Sequence, residues 1–522
     1  MYPVVTENEN VKVTERYFVM SDGVRLYTRI ATPKDGDKFP VVFIRTPYEK
    51  AHNGTAHDIA AYAQDQCIRN GYAVVLQHVR GRGDSEGICV PYDERSDGLE
   101  SLDIIRKLDI YNGEIYLSGG SYLATAHLCC LDKNPGDIKG AVLSIQTDRM
   151  YFRNYRNGCC YGFCNLSWWL SMIDRQYPNP NLDNAVKRPF LGIMERVLGT
   201  DYPPYTNMLR NNVYNDFWQK DSRTNVMNNL QIPTLFVEGW YDFYIEGMFS
   251  MWERLPAETK KRSAFMVGPY GHGTAVSEAA EYPLRNGNIP SDYAVAWFNS
   301  VRDNKPYPYA KTGKVTYYSI GADRWKEGIY PRLDSNKQRL CFNGAGKLGN
   351  VPCGTDSTVT FTYDPEKRLN CFPYHNIYRA QGIGEVDGVL SFETEEFTDV
   401  AGYFGKIRWH MVASSDCEDT ALFIRVYFVE DGVAYNLTET ITSFSHIDPD
   451  YYPGDKITID LYTPPIAFSV KRGGKIRVDI SSDGGVYAPH ANVKGHWAEV
   501  TETKIAHNTL HLQESYIELC LD

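Results

Sequence analysis

Apolar runs alternate with helix-forming segments in the first part of the chain, and this alternation restricts the fold more than any other feature. The runs are dense enough in apolar residues to suit strands that are buried on both faces. Strands that alternate with helices at this rhythm predict a parallel sheet covered on both faces. A hairpin is predicted before them, at residues 17–32. The strand runs lie at residues 39–44, 72–76, 115–117 and 140–145, and the helix-forming segments at 57–70, 94–108 and 122–131.

The pattern changes twice further along the chain. A stretch rich in Tyr, Trp, Asn and Arg has helical candidates but no convincing strand, and predicts a helical cap inserted into the sheet. Strand patterns then resume at residues 232–239 and 263–268. After Pro306 many short alternating or β-branched runs favour an all-β sandwich. We therefore predict an α/β core in two parts, residues 1–145 and 230–310, a helical insertion at 146–229, and an all-β domain at 311–522.

Length, charge and cysteine usage exclude several classes of function. With 522 residues the chain is expected to form two or three domains. A net charge of −11 argues against nucleic acid or an anionic membrane as the main partner. The 12 cysteines show no paired CxxC spacing, so we expect free thiols and no metal cofactor. No signal sequence or membrane-spanning run is visible, so a cytoplasmic location is expected. A homodimer is compatible with the sequence.

A Gly-x-Ser motif stands at the end of one predicted strand. The strand at residues 115–117 is followed by Gly119, Gly120 and Ser121, and helix-forming composition begins directly afterwards. A strand, a tight turn carrying serine and a helix form the layout of a nucleophile elbow, in which the serine hydroxyl projects from the sheet edge. The alternative is a Gly-rich turn with an inert serine, since Gly-x-Ser alone is common.

Two further polar residues follow predicted strands in the order that a Ser-Asp-His triad requires. Asp242 comes just after the strand at residues 232–239, and His272 just after the strand at 263–268. The carboxyl ends of parallel strands meet at one edge of a sheet. Singly, Asp242 could cap a helix and His272 could be an ordinary loop residue. Their order and placement together favour a triad with Ser121.

A tetrahedral intermediate also needs hydrogen-bond donors for its oxyanion. The residue after the nucleophile normally gives a backbone N–H, which here belongs to Tyr122. The loop after an early strand normally gives the second donor, and the side chain best suited there is the hydroxyl of Tyr48. The alternative for Tyr48 is an ordinary surface tyrosine, because the chain contains 38 tyrosines.

Several motifs together make the sequence resemble the CocE/NonD hydrolases, a family that includes cocaine esterase and the Xaa-Pro dipeptidyl-peptidases. The resemblance covers essentially the whole chain, and it implies an α/β-hydrolase core with an inserted helical cap and a C-terminal jelly-roll domain. It also implies Ser121 as nucleophile, Asp242 and His272 as its partners, and Tyr48 with the Tyr122 amide as oxyanion hole. The motifs are residues 45–48 (RTPY), 80–87 (RGRGDSEG), 119–124 (GGSYLA), 239–242 (GWYD) and 268–273 (GPYGHG), with 402–436 and 475–482 for the jelly roll.

Three positions depart from the family pattern. Ala124 stands where the family usually has glycine, a small change that close helix packing should tolerate. His78 replaces the usual aspartate before residues 79–81, and Tyr270 replaces a tryptophan in the histidine loop. None of the three removes a predicted catalytic group, but the last two could alter the local network or the shape of the pocket.

The substrate class is less constrained. Trp168 and Trp169 could stack on an aromatic acyl group or a proline ring, and the alternative is packing inside the cap, which we favour for at least one of them. A dipeptidyl-peptidase needs an anion for the free amine of its substrate. The candidates for that anion are Asp148, Asp174 and Glu246.

We therefore predict a serine hydrolase that cleaves a small-molecule ester or amide, or a short peptide, through an acyl-enzyme and without a cofactor. Esterase, acylase and dipeptidyl-peptidase activities all remain open within this hypothesis. Two alternatives differ in class. One is a catalytically idle scaffold whose jelly roll binds carbohydrate or protein, and the other is an acyltransferase with the same triad.

Overall fold

The computed structural model describes residues 4–7, 10–48, 65–183, 185–221, 223–331, 336–354, 357–369 and 376–522. Most of the helix predicted at 57–70 lies outside the described residues, and residues 65–69 are helical. Up to residue 145 the elements are β1 (Val4–Glu7), β2 (Val11–Val19), β3 (Arg25–Pro33), β4 (Phe39–Thr46), β5 (Ala73–His78), α1 (Arg95–Ile105), β6 (Tyr111–Gly120), α2 (Tyr122–Leu128) and β7 (Ile138–Ser144).

The next two stretches contain most of the helices. Residues 146–229, called here the inserted segment, contain α3 (Tyr151–Asn154), β8 (Tyr155–Arg156), β9 (Cys159–Cys160), α4 (Gly162–Met172), α5 (Ile193–Leu198), α6 (Pro203–Arg210) and α7 (Asp216–Gln219). Residues 230–331 contain β10 (Thr234–Gly239), α8 (Ile245–Arg254), α9 (Ala257–Lys261), β11 (Ala264–Gly268), α10 (Tyr293–Arg302), β12 (Val315–Ser319) and β13 (Arg324–Gly328).

The remaining residues are almost entirely β-structure. Their elements are β14 (Lys337–Asn343), β15 (Lys347–Gly349), β16 (Thr358–Tyr363), β17 (Leu390–Thr394), β18 (Ala401–Gly405), β19 (Arg408–Ser415), β20 (Ala421–Glu430), β21 (Val433–Ser443), α11 (Phe444–Ile447), β22 (Ile457–Tyr462), β23 (Ile466–Val470), β24 (Lys475–Ser481), β25 (Ala506–His511) and β26 (Tyr516–Cys520). Single 3-10 turns lie at Leu131–Lys133, Phe190–Gly192, Val226–Asn229, Gly344–Gly346 and Leu512–Glu514.

The first sheet contains 11 strands in the order β1-β2-β3-β5-β4-β6-β7-β10-β11-β12-β13. Neighbours from β5 to β12 pair in parallel, whereas the strands at both edges pair antiparallel. Side chains of β4 alternate between two hydrophobic clusters, since Val41 and Phe43 pack with α1 and α2 while Val42 and Ile44 pack in the cluster of α10. The predicted parallel sheet covered on both faces is therefore confirmed, as is the hairpin at residues 17–32.

Two features of the sheet and the inserted segment differ from expectation. The run at residues 314–320 was predicted to begin the all-β domain, but β12 pairs in parallel with β11 and extends the first sheet past residue 310. Apolar alternation fits either sheet, so the pattern alone could not assign this strand. The inserted segment also contains a short antiparallel ribbon, β8 with β9, where no strand was predicted.

The C-terminal β domain packs directly on the first sheet. Its strands form a second sheet of 11 strands and a separate pair, β18 with β23. The rings of Tyr317 on β12 and Phe404 on β18 stack with centroids 4.0 Å apart. Ile320 and Ser469 add a backbone hydrogen bond of 2.7 Å between the two parts. The molecule thus consists of an α/β sheet domain and a C-terminal β domain that shares its hydrophobic core.

The inserted segment lies over the sheet edge at which the strands from β4 to β11 end. Trp169, Tyr205 and Trp218 give it an aromatic cluster of its own. Three consecutive residues at the start of α4, Phe163 to Asn165, have positive φ angles of 47° to 63°, which is costly for residues other than glycine. None of the helices in the described ranges has both the length and the apolarity needed to cross a bilayer. The cysteines in those ranges form no disulfide.

Candidate active site

Ser121 occupies the tight turn between β6 and α2. Its backbone angles, φ 54° and ψ −126°, lie in a region that residues with side chains rarely adopt. The turn is held by the Ser121 N–H, which donates to the Ser144 carbonyl at 2.9 Å. A Cβ atom at Gly119 would lie 2.5 Å from the Leu123 carbonyl carbon, so only glycine allows the strand and the helix to approach this closely. The strained turn presents the serine hydroxyl at the sheet edge.

Three polar side chains from separate loops meet at this turn. The His272 Nε2 atom lies 2.9 Å from the Ser121 Oγ atom. The other ring nitrogen, Nδ1, lies 2.7 Å from the Asp242 Oδ2 atom. Asp242 is buried and its second oxygen accepts the Tyr244 N–H at 2.8 Å just before α8, so the carboxylate orients the ring and also holds the local turn. The predicted grouping of Ser121, Asp242 and His272 is present as one hydrogen-bonded chain.

The two predicted oxyanion donors flank the serine. Tyr122 is the first residue of α2, so its N–H is one of those that a helix start leaves without an intrahelical acceptor. The Tyr48 hydroxyl accepts a hydrogen bond of 3.4 Å from the indole of Trp168. Burial raises the pKa of Tyr48, and its hydrogen bonds with Trp168 and Ser121 lower it. The phenol therefore stays protonated at neutral pH and can donate.

Arg82 fixes the loop that carries Tyr48. Its Nε donates to the Pro47 carbonyl at 3.0 Å, and its Nη1 reaches the Asp174 carboxylate of the inserted segment at 2.7 Å. The guanidinium also donates to the Met172 carbonyl at 3.3 Å. One buried arginine thus ties the loop to the inserted segment, because planar guanidinium groups present several donors in fixed directions.

A buried ion pair supports the start of α2 through the side chain of Tyr122. The Arg45 and Glu94 side chains, 0% and 4% exposed, form an ion pair of 3.1 Å. Glu94 also accepts the Tyr122 hydroxyl at 2.7 Å. Burial raises the pKa of Glu94, while the Arg45 charge and the Tyr122 hydrogen bond lower it. Tyr122, whose N–H is one of the two predicted oxyanion donors, is therefore anchored through its side chain.

Gln146 and Glu238 are two neighbours of the site that the sequence motifs did not single out. The Gln146 amide is fully buried and donates to the Ser121 carbonyl at 2.7 Å, which fixes the elbow from the β7 side. Glu238 accepts the Gly239 N–H at 2.8 Å. Burial, followed by the charge of Asp242, raises the pKa of Glu238 well above its usual range. Gln146 follows the end of β7 and Glu238 is the next-to-last residue of β10, and this position at the carboxyl edge of the sheet was the only signal that could have pointed to them.

Replacing Glu238 by glutamine is expected to increase stability more at pH 8 than at pH 5. The folded wild type keeps Glu238 protonated while the unfolded chain loses that proton above its ordinary pKa, so folding stability falls as pH rises through this window, by up to about 1.4 kcal/mol per pH unit. Glutamine cannot ionise and removes this slope. Urea titrations at both pH values measure the difference.

A matched control for Glu238→Gln is Glu195→Gln, which changes an exposed carboxylate on α5. For this control, the change in folding stability should be the same at pH 5 and pH 8. An equal stability change for Glu238→Gln at the two pH values would contradict a protonated Glu238.

A cavity of about 470 Å³ opens above the serine. The inserted segment contributes part of its wall, and the segments that follow β4, β5, β6, β10 and β11 contribute the rest. Trp168 lines it, stacked on Tyr92 with ring centroids 5.3 Å apart. Trp169 is 4% exposed and packs inside the inserted segment against Tyr205 instead. The structure therefore brings one tryptophan of the predicted pair to the cavity and places the other in the aromatic cluster.

The three carboxylates considered for a substrate amine all pair with arginines. Asp148 is fully buried and binds Arg254 at 2.9 Å. Glu246 pairs with Arg156. Asp174 is the carboxylate that holds Arg82. No Asp or Glu of the described residues lines the cavity. Nor do those residues contain a cluster of three or more metal-ligating side chains.

The departures from the family motifs are structural in character. The His78 Nδ1 atom accepts the Asp84 N–H at 3.1 Å and so holds the turn after β5. The Tyr270 ring is buried above Gly268, where a Cβ atom would lie 2.0 Å from the ring. Ala124 is fully buried on α2. The first two of these side chains fill space behind the site and do not line the cavity.

Comparison with known proteins identifies two family models that together match most of the chain. The family model "X-Pro dipeptidyl-peptidase (S15 family)" matches residues 22–274, and that of the "X-Pro dipeptidyl-peptidase C-terminal non-catalytic domain" matches residues 310–518. Cocaine esterase from Rhodococcus sp. (strain MB1 Bresler) is 25% identical over 525 residues, which cover 89% of each chain.

Solved structures share the fold over nearly the whole chain. An aminopeptidase from the marine sediment archaeon Thaumarchaeota archaeon superposes with a TM-score of 0.83 at 18% identity, covering 98% of this chain and 96% of that one. An α-amino acid ester hydrolase gives a TM-score of 0.82 at 20% identity, covering 100% and 98%. The resemblance predicted from the motifs is confirmed. The chain belongs to the S15 family of serine hydrolases, of the CocE/NonD type.

Proposed function

We propose that the chain hydrolyses small esters or amides through an acyl-enzyme on Ser121. The observation that carries this proposal is the hydrogen-bonded chain from Asp242 through His272 to Ser121, which ends at a strained turn beside two oxyanion donors. Separate loops supply the three groups, and each loop follows a parallel strand, as catalysis at the carboxyl edge of such a sheet requires. A catalytically idle scaffold would not explain why these three side chains are aligned.

The geometry assigns the proton transfers. The Ser121 Oγ attacks the carbonyl carbon while its proton passes to His272 Nε2. Asp242 stays ionised and stabilises the imidazolium. The same proton then moves from Nε2 to the leaving oxygen or nitrogen as its bond to the acyl carbon breaks. Water attacks the acyl-enzyme in the same way and returns Ser121 to its starting form.

The proposed oxyanion hole consists of the Tyr48 hydroxyl and the Tyr122 N–H. Negative charge develops on the carbonyl oxygen only as the tetrahedral intermediate forms, so these donors act more on the transition state than on the bound substrate. The helix start at Tyr122 adds the favourable end of the α2 dipole.

Tyr48→Phe is expected to lower kcat roughly 100- to 1000-fold while KM changes little, because it removes one donor to the oxyanion and keeps the ring. Steady-state kinetics with a chromogenic ester measure both constants. The control is Tyr309→Phe, which removes a hydroxyl that binds Asp292 far from the site and should leave both constants unchanged. A rise in KM without a fall in kcat would contradict the proposed role of Tyr48.

Within the family's activities, the cavity supports ester or simple amide substrates over peptides with a free N-terminus. An ammonium group needs a carboxylate, and the described cavity wall contains none. Trp168 presents an aromatic surface on which a flat acyl group could stack. We also propose that the inserted segment acts as a helical cap, that the β domain is a jelly roll, and that the domain divisions follow the boundaries given above, except that β12 and β13 join the core. A homodimer stays a prediction.

An active-site fluorophosphonate tests the proposal. We expect the probe to label the wild type at Ser121, located by mass spectrometry of the modified peptide, and to leave Ser121→Ala unlabelled. Hydrolysis of chromogenic esters should exceed that of Xaa-Pro anilides. Competing alcohols should not divert the acyl group, which separates hydrolysis from acyl transfer. An unlabelled wild type, or labelling that persists in Ser121→Ala, would overturn the proposal.

A further inference from the structure

Arg153 is a buried cation in the wall of the cavity above Ser121. It lies on α3 of the inserted segment and is 5% exposed. Its Nη1 atom is buried without a hydrogen-bond partner among the described residues. Burying a cation without a partner costs several kcal/mol, so such groups are usually paired. The described residues therefore provide no hydrogen-bond acceptor for this atom of Arg153.

Neighbouring arginines of the inserted segment show the contrast. Arg156, three residues further along the chain, pairs with Glu246. Arg223 pairs with Asp221 and stacks over the Tyr92 ring at 4.7 Å. No described carboxylate forms an ion pair with Arg153. Only Arg153 of these three lines the cavity with the serine.

Aromatic rings hold the Arg153 guanidinium in place without neutralising it. Its Cζ atom lies 3.9 Å from the centroid of the Phe243 ring and 5.9 Å from that of Tyr244. Such contacts offset part of the cost of desolvation and fix the orientation of the planar group. The same Phe243 ring stacks on the His272 imidazole with centroids 4.6 Å apart. One aromatic ring therefore contacts both the guanidinium and the imidazole of His272.

We propose that Arg153 forms a subsite for a carboxylate of the substrate, so that the preferred substrates are small esters or amides that carry an anionic group a few bonds from the scissile carbonyl. This inference rests on the proposed hydrolase function and adds the substrate class. A guanidinium fork matches a planar carboxylate in a bidentate manner. The described wall of the cavity contains no acidic residue, and this also favours a negatively charged substrate.

Matched pairs of esters test the subsite, with the carboxylate on either side of the scissile bond. Mono(4-nitrophenyl) succinate is compared with its neutral methyl ester for the acyl side. 3-Acetoxybenzoate is compared with 3-acetoxybenzamide for the alcohol side. The readout is the ratio of kcat/KM for the charged and the neutral member. We expect the wild type to favour the charged member in one of the two arms by at least about 30-fold, mainly through KM.

Arg153→Gln should lower that ratio by about 100-fold, since it removes the charge and keeps a polar side chain. Arg153→Lys should retain part of the preference, because it keeps the charge but loses the fork. The control is Arg339→Gln, an arginine of the β domain paired with Glu518, for which the ratio should equal that of the wild type. A wild type that hydrolyses both members equally, or an unchanged ratio in Arg153→Gln, would overturn the subsite and leave the proposed hydrolysis standing.

A second measurement does not depend on turnover. Titration calorimetry of Ser121→Ala with mono(4-nitrophenyl) succinate should show binding that weakens about 100-fold in Ser121→Ala/Arg153→Gln. Such binding by a protein whose wild type hydrolyses no ester would retain the subsite and overturn the proposed hydrolysis. Equal affinity of the single and double variants would overturn the subsite.

Discussion

Ser121→Ala is expected to lower kcat for ester hydrolysis by roughly 10⁵- to 10⁶-fold. The reason is that Oγ is the attacking atom, and its proton passes to His272 Nε2, which lies 2.9 Å away. Asp242→Asn is expected to cost roughly 10⁴-fold, because an amide can no longer hold the imidazole in the required tautomer. Both are measured as initial rates with a chromogenic ester at saturating substrate.

If the three residues act as one triad, the rate losses caused by the single substitutions will not multiply in the double variant. His272→Ala alone and Ser121→Ala/His272→Ala should both lie near the rate of Ser121→Ala, since one missing member disables the others. Ser96→Ala, an exposed serine on α1, controls for the substitution itself and should keep the wild-type rate. If the losses from Ser121→Ala and His272→Ala multiplied in the double variant, the two groups would not act in one proton relay.

Arg45→Met is expected to destabilise the fold by about 3–5 kcal/mol. The substitution leaves the Glu94 carboxylate buried without its counter-ion, and that uncompensated charge costs more than the lost pair itself. The loss should be smaller at pH 5 than at pH 8, because Glu94, whose pKa is already raised by burial, can take up a proton. Urea unfolding of both proteins at the two pH values measures it.

The double variant Arg45→Met/Glu94→Gln separates charge from packing. Glutamine removes the orphaned charge and still offers an oxygen to the Tyr122 hydroxyl, which now donates to Glu94 at 2.7 Å. We expect this variant to recover most of the stability that Arg45→Met loses. A double variant no more stable than Arg45→Met would show that Arg45 stabilises the fold through packing and its other hydrogen bonds.

The sequence predicted those parts of the molecule that depend on local pattern. Dense apolar runs identified the strands of the parallel sheet, and the polar residues directly after them identified Ser121, Asp242 and His272. Their convergence follows from the sheet alone, because parallel strands end at one edge. The same reasoning predicted Tyr48 as a candidate, and the family motif favoured an oxyanion donor over an ordinary surface tyrosine.

Other features depend on which segments meet across the fold, and no local pattern encodes them. The apolar alternation of β12 fits a strand of either sheet, so its parallel pairing with β11 was not predictable. Trp168 and Trp169 are adjacent in sequence, and only the direction of α4 sends one to the cavity. The roles of Gln146 and Glu238 depend on the groups that surround them in the fold. The role of Arg153 depends on the lack of a described carboxylate beside it. Burial and partners of this kind are properties of the assembled core.

The loop that carries Asp242 is anchored by two residues from later in the chain, one on β12 of the same sheet and one in the β domain. The indole of Trp240 donates to the Tyr318 carbonyl at 2.7 Å, and the Tyr241 hydroxyl donates to the Asn436 carbonyl of the β domain at 3.0 Å. Both anchors lie beyond residue 310, where the second family model begins to match. Two separate family models thus meet at a loop that residues from both matched regions hold in place. A displacement of the β domain would therefore move the loop that positions Asp242.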